Sequence, residues 1–69
     1  SDSLPSETTV SISIYNMLGE RMSTLINERY LKSGYHKVSW DASAFPSGMY
    51  FVKIQTPTII ETKKALLLK

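Results

Sequence analysis

Polar and apolar residues alternate strictly over residues 9–15: Val10, Ile12 and Ile14 take one face, Thr9, Ser11, Ser13 and Tyr15 the other. Period two with β-branched side chains predicts a half-buried strand. Asn16-Met17-Leu18-Gly19 follows as a tight turn, with Asn offering a local side-chain bond and Gly a positive φ. A second alternation sets Tyr50, Val52 and Ile54 against Met49, Phe51 and Lys53, and predicts a strand over residues 49–55 that Pro57 ends. Between them, Ser33-Gly34 marks a turn, and His36, Val38 and Trp40 alternate with Tyr35, Lys37 and Ser39. That pattern predicts a strand over residues 35–40. Asp41-Ala42-Ser43 and Phe45-Pro46-Ser47-Gly48 then form a connection rich in turn formers.

Residues 20–31 are ambiguous. Leu18, Met22, Leu25, Ile26 and Tyr30 have helical spacing, whereas Met22, Thr24 and Ile26 alternate. Glycines at 19 and 34 and strands on either side favour a strand over about residues 21–27. Residues 58–68 fill one more strand. Five strands at this spacing predict an all-β fold, a small antiparallel β-sandwich of the Ig-like or fibronectin-like kind. Residues 1–5 add at most a short sixth piece, limited by Pro5. Because an Ig-type sandwich has about seven strands, the chain reads as if its first strand were truncated.

Composition supports this and narrows the chemistry. Ser and Thr make up 16 of the 69 residues, which suits strands and turns, since hydroxyls compete for backbone hydrogen bonds inside helices. A chain this short is one small domain that buries only about 60% of its unfolded surface. With no cysteine and the single His36, it has neither a disulfide nor a common zinc site. No apolar run approaches the roughly 20 residues of a membrane helix. Residues 1–6 have neither the basic start nor the apolar stretch of a signal peptide. The carboxylates are scattered, the glycines are too few for a phosphate loop, and no catalytic residue, cofactor or metal is expected.

The charge is placed unevenly. Residues 1–60 are neutral, so the net charge of +2 comes from Lys63, Lys64 and Lys69 against Glu61, around Ala65-Leu66-Leu67-Leu68. Elsewhere cations and acids balance, which argues against nucleic acid as a partner.

Four blocks carry a resemblance. The segment from Ile14 to Met22 is similar to an "I-Y-N-x-L-G-x-x-V" strand–turn–strand, and Gly34-Tyr35-His36-Lys37-Val38-Ser39-Trp40-Asp41 to "G-x-H-x-V-x-W-(D/N)". Pro46-Ser47-Gly48-Met49-Tyr50-Phe51-Val52 resembles "x-S-G-x-Y-F-x", and Lys63-Lys64-Ala65-Leu66-Leu67-Leu68-Lys69 resembles "K-K-x-L-L-L-K". In this order they resemble the C-terminal sorting domain of type IX secretion, type A-like, which is related to the Ig-like domain of flagellar hook-capping proteins.

The resemblance implies a non-catalytic signal that directs upstream cargo through the periplasm and across the outer membrane, to be secreted or held at the cell surface. An outer-membrane translocon and a sorting peptidase are the implied partners. Gly48, Tyr50, Lys63, Lys64, Leu66, Leu67, Leu68 and Lys69 are the implied recognition residues, because they match the last two blocks. The family's "N-P-x-N-P" turn and first strand are missing before Ser3-Leu4-Pro5. Residues 1–69 are therefore expected to be one domain, the C-terminal fragment of a larger secreted protein. A sheet edge left open by the missing strand would invite strand exchange between copies.

Single residues have plainer readings beside the functional ones. Gly48 is expected at positive φ, at a close backbone approach, or as a plain turn glycine, and Tyr50 in the core with its hydroxyl at the rim. Trp40 suggests sugar stacking, but its parity with Val38 favours core packing. Asp41 reads as an Asx turn, and His36 as a partly exposed structural histidine. The final strand is either an ordinary core strand with a solvated cationic end or a recognition segment. The rival reading of the whole is a structural or polysaccharide-binding module of a multidomain secreted enzyme, using Trp40 or exposed tyrosines. A third is a hook-capping-like assembly domain. Fold alone does not decide among them.

Overall fold

The computed structural model describes residues 3–69; Ser1 and Asp2, part of the expected N-terminal strand piece, lie outside the described residues. The strands are β1 (Ser3–Leu4), β2 (Thr8–Tyr15), β3 (Arg21–Leu31), β4 (Gly34–Tyr35), β5 (Gly48–Gln55) and β6 (Ile60–Leu67). They pair into a four-stranded sheet in the order β3-β2-β5-β6 and a two-stranded sheet, β1-β4, with all pairings antiparallel. No helix occurs among the described residues. The all-β sandwich expected from the alternations is what forms.

β2 is central because both of its faces and both of its edges are used. Val10 and Ile14 are almost wholly buried, and Ile12 joins them on the inner face. Ile26 completes the cluster, with Leu4, Leu25, Leu31, Val52 and Ile54 packed around it. Burying each such side chain fully contributes about 1.5–3 kcal/mol. The outer face where β2 meets β5 carries Ser11, Ser13, Lys53 and Gln55, so there the sheet is apolar inside and polar outside.

β3 explains its own ambiguous pattern. Its 11 residues span only the 8 of β2, and the register shifts three times, between Val10 and Ile12, Ile12 and Ser13, and Ile14 and Tyr15. Each extra residue is a bulge that reverses which face the following side chains take. The neighbours Leu25 and Ile26 consequently both pack on the core, which no strict alternation allows. One shift is fixed at Glu28, whose φ is 48° and whose backbone N–H donates to Ser11 Oγ at 3.0 Å.

The strand expected over residues 35–40 is much shorter. Only Gly34 and Tyr35 enter a ladder, opposite Leu4 and Ser3. Their partner β1 is two residues long and ends at Pro5, which has no N–H to donate. Residues 36–40 therefore run on without a β partner. The expected apolar face survives in part: Trp40 is half-buried, and Val38 is exposed. His36, Val38 and Trp40 line a partly open cavity of about 310 Å³, facing Ile12, Val52 and Ile54 of the larger sheet.

Candidate functional site

The last two motif blocks become one hairpin. Thr56 and Ile59 close its turn: the Thr56 backbone N–H donates to the Ile59 carbonyl at 2.8 Å, and the Ile59 N–H donates to Thr56 Oγ1 at 3.1 Å. Register then sets Gly48 opposite Leu67, Tyr50 opposite Ala65, and Phe51 opposite Lys64. Residues well separated in the sequence thus share a surface.

Gly48 opens β5 with a φ of 154°, a conformation that side chains rarely adopt, although a Cβ there would meet nothing within 4 Å. The backbone conformation, and no close approach, is what calls for glycine. Tyr50 is 4% exposed. Its hydroxyl donates to the Pro46 carbonyl at 2.6 Å, as expected of a core tyrosine with its polar end at the rim. Trp40 packs edge-on against Tyr50 at 5.2 Å between ring centroids and tilted against Phe45 at 5.4 Å. Its indole N–H is shielded from solvent and meets no acceptor among the described residues.

β6 is divided by its pleat. Lys63 shares the side of Tyr50 and Val52 and lies 3.9 Å from the Glu61 carboxylate. Lys64 and Leu66 take the other side, opposite Phe51 and Met49. The two adjacent lysines are therefore not one patch. Leu66 is 65% and Leu68 78% exposed, while Leu67 is half-buried. Of the expected recognition residues, only Leu66, Leu68 and the lysines present themselves to solvent.

Lys69 is held in a way the sequence did not suggest. Its backbone N–H donates to Ser47 Oγ at 3.0 Å, and its ammonium donates to the Ser43 carbonyl at 2.8 Å. Ser43 and Ser47 are thus site residues that sequence reasoning missed. Contacts over 22 and 26 residues leave no local signal. The same loop carries the expected Asx turn: the Ser43 N–H donates to Asp41 Oδ1 at 3.1 Å. The Ser43 hydroxyl, then its N–H, hold the Asp41 carboxyl below its ordinary value, with the Lys69 ammonium adding to the effect.

His36 is half-buried, and its Nε2 lies 2.6 Å from the Lys32 carbonyl, in keeping with a structural role. Among the described residues no group of His, Asp and Glu could hold a metal ion, and no helix is long and apolar enough to cross a membrane.

Comparison with protein families places this geometry. The model of the secretion system C-terminal sorting domain matches residues 3–68. No curated protein and no solved structure matches. The matched stretch takes in both sheets, the loop that holds Tyr50, and all but one residue of the Lys-flanked leucine segment. The chain belongs to the secretion system C-terminal sorting domain family, the signals by which type IX secretion exports cargo to the exterior or the cell surface.

Proposed function

We propose that residues 1–69 form a single non-catalytic sorting domain at the C-terminal end of a larger secreted protein, with any chemistry residing in the upstream cargo. Gly48, Tyr50, Lys63, Lys64, Leu66, Leu67, Leu68 and Lys69 make up its recognition region, read by the outer-membrane translocon and then by the sorting peptidase. Within it the roles divide. Gly48, Tyr50 and Leu67 shape the hairpin, and Lys64, Leu66 and Leu68 face outward to be read.

The observation that carries this reading is the exposure of Leu66 near the end of β6 and of Leu68 just beyond it. Large apolar side chains on an outermost strand are a liability unless something covers them. No observation favours polysaccharide binding: Trp40 is packed between Phe45 and Tyr50.

The test is export of a reporter fused upstream of this domain. Deleting residues 63–69 should abolish export. That deletion also removes most of β6, so Leu66→Ala with Leu68→Ala serves as the folded control. Export unchanged in the folded double variant would overturn the reading. A second feature of the proposal is strand exchange between copies through an open sheet edge, for which the outer edge of β3 is available. A single monomer species in analytical ultracentrifugation across a wide concentration range would rule it out.

A further inference from the structure

We propose that the free edge of β6 takes up an extended partner segment in which apolar and acidic residues alternate; this rests on the sorting-domain reading and specifies the chemistry recognised there. The hairpin turn determines which backbone groups are available. Thr56 donates to the Ile59 carbonyl, so these two form a hydrogen-bonded pair, and such pairs alternate with non-bonded ones along antiparallel strands. In the register Gln55↔Ile60 and Ile54↔Glu61, Glu61, Lys63, Ala65 and Leu67 turn their backbone groups towards β5. Ile60, Thr62, Lys64 and Leu66 turn theirs towards the open edge, where β6 is the outermost strand. The same four side chains share the outer face. Edge and face are thus offered by one set of residues, as strand addition requires.

Two features fix the chemistry of the occupant. The apolar cavity between the sheets extends to Lys63 and Lys64. A strand laid along β6 would set every second side chain over that space, and those positions should be apolar. The remaining side chains would stand on the outer face beside Lys64. One strand further in lies Lys53, whose ammonium is 5.7 Å from the centre of the Tyr15 ring. Carboxylates there would meet complementary charge. A second copy is the poorer occupant. Pairing two β6 strands antiparallel through this edge sets edge-facing residues opposite one another, and the two registers of greatest overlap put Lys63 opposite its own copy or Lys64 opposite its own copy. Like charges directly opposite are destabilising.

The experiment uses the cargo fusion and two synthetic peptides, one alternating Val and Glu, the other Val and Lys, with amide hydrogen exchange as the readout. The Val-Glu peptide should slow exchange at Ile60, Thr62, Lys64 and Leu66 by about tenfold or more, and the Val-Lys peptide should not. Thr62→Pro removes an edge N–H while leaving the β5 ladder intact, so it should abolish this protection without unfolding the domain. Lys64→Glu should weaken the preference for the acidic peptide. Equal protection by both peptides, or by neither, overturns the inference. So does protection without peptide, whether it rises with protein concentration, as for a second copy, or is constant, as for a segment of the fusion itself. Reporter export separates the two readings. Export lost in Leu66→Ala with Leu68→Ala but kept in folded Thr62→Pro leaves the sorting reading standing and removes this one.

Discussion

The Tyr50 hydroxyl donates to the carbonyl of Pro46 at 2.6 Å, tying the start of β5 to the loop before it. The ring is buried, so removing the hydroxyl leaves a carbonyl short of a partner without opening a cavity. Tyr50→Phe should lower stability by about 1 kcal/mol. In a domain of this size that is a fall of roughly 4–8 °C in Tm. Thermal unfolding followed by circular dichroism checks it, and an unchanged Tm would mean that the bond contributes nothing net.

Gly48 tests the conformational argument beside it. A methyl group at this position has room, so the cost of Gly48→Ala is the backbone conformation alone, about 1–3 kcal/mol. Urea unfolding of this variant against wild type measures it. A neutral result would show that β5 can start with an ordinary φ.

Glu28 should respond in the opposite sense. Its φ of 48° costs a non-glycine residue about 1–2 kcal/mol, and glycine recovers this less roughly 0.5–1 kcal/mol of unfolded-state entropy. Glu28→Gly should therefore leave stability unchanged or raise it by up to about 1.5 kcal/mol. The N–H bond to Ser11 needs no side chain at 28, so it remains. Clear destabilisation in chemical denaturation would assign the Glu28 side chain a role that its position does not suggest.

Asp41 predicts an acid limb in the stability profile. Its carboxyl is held below the ordinary value of 3.8 by the Ser43 hydroxyl, then the Ser43 N–H, with Lys69 adding to the effect. A depressed folded-state pKa means that the unfolded chain binds the proton more readily. The contribution is present above about pH 4 and is lost as pH falls through the folded value. Asp41→Asn should flatten that limb by lowering stability above about pH 4 towards the level that wild type has in acid. Denaturation midpoints at a series of pH values report it, and an identical limb in the variant would assign the acid sensitivity to other carboxylates.

How much could be read beforehand differs from strand to strand. In β2 and β5 each residue has one face and one register, so alternation stated the answer outright: Val10, Ile12, Ile14 and Tyr50 are buried as their parity requires. In β3 the three bulges break parity, and Met22, Leu25 and Ile26 mimic a helical stripe. Residues 36–40 show the converse. Their alternation is clean, but a strand needs a partner, and β1 is too short to provide one. For the site, any strand over residues 58–68 has to place Lys63 and Lys64 on opposite faces, and β6 does. The hold of Ser43 and Ser47 on Lys69 was invisible because it depends on where a loop returns.

The wiring of the larger sheet makes its completion depend on the last third of the chain. β2 and β3 are neighbours in sequence, but a lone hairpin is marginal in water. The other edge of β2 is filled by β5 and that of β5 by β6, and Lys69 bonds back to the loop that holds Ser43 and Ser47. The larger sheet is therefore complete only in a chain that carries residues 48–69. The folded tag is then a receipt for a completed delivery, and a cargo cut short would present no tag at all.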